Sequence, residues 1–113
     1  MTDNNIVSEE SFAEAVLNAT GPVVVSFTAP AWCVPCQRFE PHWEKAQETE
    51  ALDEFTFITV NMGESPEDTG QHWASKRYGI LGVPQVKRFN GDLDSPVDVK
   101  ARSVVPLIRE LTA

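Results

Sequence analysis

The sequence is short of cations, of cysteine and of long apolar runs, and each shortage narrows what the chain can be. Nine lysines and arginines stand against 17 aspartates and glutamates, a formal net charge of −8. Nucleic acids and anionic membranes are held by cationic patches, so neither is expected as a partner. The acidic excess serves solubility first; beyond that, it favours partners with basic docking surfaces. No segment approaches the roughly 20 consecutive apolar residues of a membrane span. Met1-Thr2-Asp3-Asn4-Asn5 has no basic stretch and no apolar run follows it. A secretory signal is therefore not expected, and the expected location is the cytoplasm. The chain has two cysteines and two histidines. Structural zinc takes four ligands, and Cys33, Cys36, His42 and His72 do not fall at a familiar finger spacing, so no metal site is expected.

What remains has the size and composition of one soluble globular domain covering residues 1–113, with 42% apolar and 23% charged residues. There is no internal repeat, linker or low-complexity segment, and the chain is expected to be a monomer. Ser8-Glu9-Glu10 reads as a helix N-cap followed by acid in the first turn. Phe12, Ala15, Val16 and Ala19 continue that helix as an apolar stripe, and Gly21-Pro22 ends it. Val23 to Thr28 is a β-branched and aromatic run of the kind a buried central strand shows. A second helix begins near Pro35, carries Phe39, Trp43 and Ala46 on one side, and has Pro41 inside it, where a kink is expected. Phe55 to Val60 reads as a second buried strand. A polar stretch with Gly63, Pro66 and Gly70 follows, then a helix carrying Trp73 and Tyr78. Gln85 to Phe89, Asn90-Gly91 and Val97 to Val99 read as a hairpin. Ser103 caps a last helix with Val104, Leu107, Ile108 and Leu111 inward. This order, helix first, implies an α/β fold: a central mixed sheet of four to five strands with helices on both faces.

The two cysteines stand together in Trp32-Cys33-Val34-Pro35-Cys36, where a strand gives way to a helix. At i and i+3 across a helix start, their Cα atoms lie about 5.5 Å apart, within disulfide range. The helix N-terminus favours a thiolate on the first cysteine. Cys33 is therefore expected to be the accessible, low-pKa nucleophile, with Cys36 one turn inward as the resolving thiol. Pro35 suits the first turn because it has no N–H to leave unpaired. Such a pair exchanges disulfides through a mixed-disulfide intermediate and needs no bound cofactor. Trp32, just before the nucleophile, reads as active-site surface.

Val23-Val24-Val25-Ser26-Phe27-Thr28-Ala29, the Cys33–Cys36 motif, Pro41, Tyr78-Gly79-Ile80-Leu81-Gly82-Val83-Pro84 and Phe89-Asn90-Gly91 together resemble thioredoxin in order and approximate spacing. The resemblance runs from about Val23 to the end of the chain. It implies a thioredoxin fold and reduction of disulfides in client proteins, of which ribonucleotide reductase is a typical example. Recycling would come from a thioredoxin reductase or a small thiol. Two alternatives remain: an oxidase or isomerase running the same chemistry the other way, and a binding module using the fold as a scaffold. Pro35 leans towards the reducing direction. The resemblance also implies a cis Val83-Pro84 peptide facing the cysteines, with Val83 offering backbone bonds to the substrate chain. Trp32, Val34, Pro35, Val83 and Pro84 are thus the expected substrate-binding residues.

The departures from the family pattern are specific. Its buried carboxylate under the cysteines corresponds here to Ser26, and the lysine that pairs with it to Thr59. Either charge alone would be buried and unpaired, so their joint loss is physically coherent. Glu40, four residues after Cys36, is the candidate replacement base for Cys36, a role that requires it to be partly buried; the alternative is a solvated glutamate on the helix surface. Gly63 to Ser75 is longer than usual. Lys100-Ala101-Arg102 stands where the family has a glycine beside the active-site groove, so Lys100 and Val34 are expected to rim that groove.

Overall fold

The computed structural model describes residues 3–6 and 8–113. Its strands are β1 (Asp3–Ile6), β2 (Val23–Thr28), β3 (Thr56–Asn61), β4 (Gln85–Phe89) and β5 (Val97–Val99), and its helices are α1 (Glu9–Asn18), α2 (Val34–Gln47), α3 (Pro66–Gln71), α4 (Trp73–Tyr78) and α5 (Val104–Thr112). The strands form one sheet in the order β1-β3-β2-β4-β5. β1, β3 and β2 run parallel, and β4 and β5 are added antiparallel. This is the mixed sheet expected from the sequence.

Burial on both faces follows from the pattern of β2. All six of its residues are buried, and successive side chains point to opposite faces. Val23, Val25 and Phe27 join Phe12 and Val16 of α1, Ile58, Val60 and Ala74 in one core. Val24 faces the other way and packs with Phe39, Trp43 and Ala46 of α2 and with Leu107 and Leu111 of α5. The same alternation turns Ser26, 2% exposed, towards the face that α2 covers. α2 presents Cys36, Phe39, Trp43 and Ala46 inward at helical spacing. Pro41 lies inside it and leaves the Gln37 carbonyl without its helical N–H.

Two elements differ from the expected order. A strand, not a helix, comes first: β1 pairs in parallel with residues 57–60 of β3. Its sequence Asp3-Asn4-Asn5 has no alternation and poor strand propensity, so the neighbouring strand supplies the order. The polar stretch after β3 also contains α3. There Ser65 Oγ accepts the Asp68 N–H at 3.2 Å, Pro66 occupies the first turn, and Glu67 and Asp68 follow. Gly63 makes the approach possible: its φ is +123°, and a Cβ there would lie 2.6 Å from the Asp68 Cβ. The hairpin forms as expected, but residues 90–96 connect it rather than a two-residue turn.

Candidate active site

Beyond β2, the N–H groups of Trp32 and Cys33 donate to the Ala29 carbonyl at 3.3 and 3.0 Å. This turn sets Cys33 at the N-cap of α2, where its Sγ accepts the Cys36 N–H at 3.1 Å. The sulfur thus does what a serine or aspartate oxygen does at most helix starts. The Cys33 thiol in turn donates to the Val83 carbonyl at 3.5 Å, and the Val83-Pro84 peptide is cis. Cys36 is 1% exposed, and its Sγ accepts the Ala29 N–H at 3.5 Å. Both cysteines are free thiols.

Cys33 is 4% exposed, not the accessible group expected from its position. Burial pushes its pKa from 9.0 up to about 11. The Cys36 thiol adds to the rise, and the Cys36 N–H works against it. One backbone donor does not make good the loss of water around a thiolate, so the Cys33 pKa is raised where the helix start was expected to lower it. Around it, Trp32 (36%), Val34 (50%) and Pro35 are exposed apolar surface.

Glu40 is exposed, as the helix-surface alternative has it, yet it lines a cavity of about 160 Å³ that reaches Cys36. Ser26, Thr28, Thr59 and Glu44 line the same cavity. Glu44 is the residue that sequence reading passed over; its spacing of one turn from Glu40 is the signal that points to it. Ser26 and Thr59 are direct partners in the parallel β2–β3 register, and Thr59 Oγ1 accepts the Trp43 Nε1–H at 2.9 Å. Hydroxyls therefore occupy both positions below Cys36.

The thioredoxin family profile matches residues 3–108. The chain belongs to the thioredoxin family. Thioredoxin M2, chloroplastic, of Arabidopsis thaliana is 36% identical over 90 residues, which cover 80% of this chain and 44% of that one. The thioredoxin of Rhodospirillum rubrum is 36% identical over 83 residues, covering 74% of this chain and 72% of its own. Protein disulfide isomerase-like 2-3 of Oryza sativa subsp. japonica is 35% identical over 99 residues, 87% of this chain but 20% of that one. The chain thus spans less than half of either plant relative. Among solved structures, the thioredoxin of Malassezia sympodialis shares the fold, with a TM-score of 0.70 at 23% identity over 100% of this chain and 96% of its own.

Two further contacts shape the site. The lengthened segment folds back on the active site: Trp32 Nε1–H donates to Thr69 Oγ1 of α3 at 3.0 Å. Arg102 rather than Lys100 lines the groove beside Pro84. The Lys100 backbone N–H is taken up by the Glu110 carboxylate at 3.0 Å.

Proposed function

We infer that the chain reduces disulfides in client proteins, with Cys33 attacking and Cys36 resolving. The supporting observation is the placement of the Cys33 sulfur between the Cys36 N–H and the Val83 carbonyl, with Cys36 sealed behind it. Cys33 loses its proton and attacks one client sulfur. The client S–S bond breaks, the mixed disulfide forms, and the departing client thiolate takes up a proton. Cys36 then loses its proton and attacks Cys33 Sγ, releasing the second client thiol and leaving the Cys33–Cys36 disulfide. Two electrons and two protons pass to the client. As the Cys33 S–H contact is given up, the Val83 carbonyl becomes free to accept an N–H of the client backbone.

The proton of Cys36 leaves, in this reading, through the cavity lined by Ser26 and Thr59, with Glu40 at the mouth as the accepting base. Val34, Pro35 and Trp32 supply the apolar surface against which the client lies. The reducing direction is favoured because strong oxidants of this class hold their first cysteine as a stabilised thiolate. Here burial works the other way. Recycling requires a thioredoxin reductase or a small-thiol reductant, ribonucleotide reductase is a candidate client, and the cytoplasm is the proposed compartment.

The kinship with protein disulfide isomerases favours the opposite direction as the second reading. Equilibration with glutathione separates the two. A Cys33–Cys36 potential near the roughly −270 mV of thioredoxins is expected, and a value of about −120 to −180 mV would establish an oxidase or isomerase instead.

A further inference from the structure

A groove of about 240 Å³ lies against Pro84. Its lining is Pro35, Arg38, Phe39, His42, Pro84 and Arg102. The floor is therefore two prolines and a phenylalanine, and the polar groups around it are two guanidinium groups and an imidazole.

Arg102 forms no ion pair among the described residues. Its Nη1 donates to the Val99 carbonyl at 2.7 Å and the Ala101 carbonyl at 2.9 Å, and its Nη2 to the Pro84 carbonyl at 3.3 Å. The guanidinium lies 5.9 Å from the centre of the Phe39 ring. Three carbonyls and a ring face hold it in position, but none carries a full negative charge. The carboxylates whose charge reaches it are Glu110 and Asp98. Glu110 is occupied with the backbone N–H groups of Lys100 and Ala101 at 2.9–3.1 Å. Asp98 is bound to Lys87 Nζ at 2.6 Å. Arg38 is exposed on α2 and forms no ion pair among the described residues. Arg77, by contrast, is neutralised by Glu9 and Asp94. A chain of net charge −8 therefore keeps two arginines that form no ion pair among the described residues at one groove beside its cysteines.

That place is tied to the chemistry by adjacent carbonyls. Val83 O receives the Cys33 thiol, and Pro84 O receives Arg102. The guanidinium is thus anchored one residue along from the nucleophile's contact, a step of about 2.9 Å between Cα atoms across a cis peptide. A client segment crossing Val83-Pro84 with its disulfide at Cys33 would bring the side chain one or two residues from its cysteine over the groove.

We propose that the Arg38–Arg102 groove selects client proteins carrying an aspartate or glutamate within two residues of the disulfide cysteine. The carboxylate meets the guanidinium groups while its methylenes lie on Pro35, Phe39 and Pro84. The proposal rests on client exchange at Cys33 but not on its direction, since the mixed disulfide is common to reductant and oxidant.

The test uses disulfide-bridged peptides identical except for Glu, Gln or Lys beside the cysteine, with formation of the mixed disulfide followed on the full chain carrying Cys36→Ser. The net charge favours the Lys peptide at long range, so a preference for Glu has to come from the groove. The Glu peptide is expected to react about tenfold faster than the Lys peptide at 50 mM salt, falling to about twofold at 0.5 M. Arg38→Glu is expected to abolish or invert that ratio, and Arg102→Met to lower it. Because the readout is a ratio, a general loss of reactivity does not imitate the effect, and exposed Arg38 provides a variant that the fold tolerates. Equal rates for the peptides, or a ratio unchanged in both variants, would overturn the proposal. So would a change confined to oxidised glutathione, which would make the groove a small-thiol site. Failure of the reducing direction would show separately, in the glutathione equilibrium.

Discussion

Removing Cys33 from water opposes its thiolate more than the single N–H of Cys36 supports it, and this sets how its reactivity depends on pH. With its pKa raised to about 11, the reactive form grows about tenfold per pH unit throughout the range below that value. Alkylation of Cys33 by iodoacetamide, followed by peptide mapping, is expected to accelerate in this way from pH 7 to pH 10. A plateau beginning near pH 7 would show a thiolate already formed. For Cys36 the proposed proton acceptor is Glu40. Replacing it in Glu40→Gln is expected to slow single-turnover resolution of a mixed disulfide about tenfold at pH 7. An unchanged rate would remove Glu40 from the proton path and leave Glu44, on the same cavity wall. The positions of both cysteines were legible in the sequence, because i, i+3 at a strand-to-helix junction is a local pattern. The burial of Cys33 was not legible. It depends on Val83, 50 residues away, and on a backbone carbonyl that no residue type announces.

At the level of elements, α3 and α4 act as one support for Trp32. Thr69 of α3 holds the indole N–H, Ser75 Oγ of α4 donates to the Thr69 carbonyl at 2.7 Å, and His72 joins the two helices. His72 Nδ1 caps α4 by accepting the Ala74 N–H at 3.1 Å, which it can do only while that nitrogen is unprotonated. Burial lowers the His72 pKa. The unfolded chain therefore binds the proton more readily, and the stability from this cap is lost as pH falls from about 6.5 through the lower folded value. His72→Asn keeps an acceptor at the cap but does not titrate. Its Tm is expected to fall about 2–4 °C less than that of the wild type between pH 7 and pH 5. Calorimetry at both pH values checks this, and equal falls would rule the cap out as a titrating element. α3 was within reach of the sequence: Ser65-Pro66-Glu67-Asp68 has a cap, a first-turn proline and first-turn acid. β1 was not, since Asp3-Asn4-Asn5 acquires strand structure only through its pairing with β3.

Across the whole molecule, acid outweighs base almost two to one, while the ion pairs of the described residues involve just Arg77 and Lys87. Self-repulsion at net charge −8 therefore exceeds what those pairs offset, and screening should stabilise the fold. Raising NaCl from 10 mM to 0.5 M is expected to increase Tm by about 3 °C. A decrease in the thermal scan would mean that local pairing dominates. The expectation of partners with basic surfaces came from this total charge. It does not distinguish the groove beside Pro84, where the local sign is reversed. The indole of Trp32 has one further consequence. The three tryptophans occupy different settings: Trp43 is buried, Trp73 is half-buried against Phe12, and Trp32 is 36% exposed beside the reacting sulfurs. The protein thus carries an optical reporter next to its active site, in which the red-shifted part of the emission belongs to Trp32. Both oxidation of the neighbouring thiols and release of its N–H from Thr69 should register in that band, so redox state and the seating of α3 could be followed without a label.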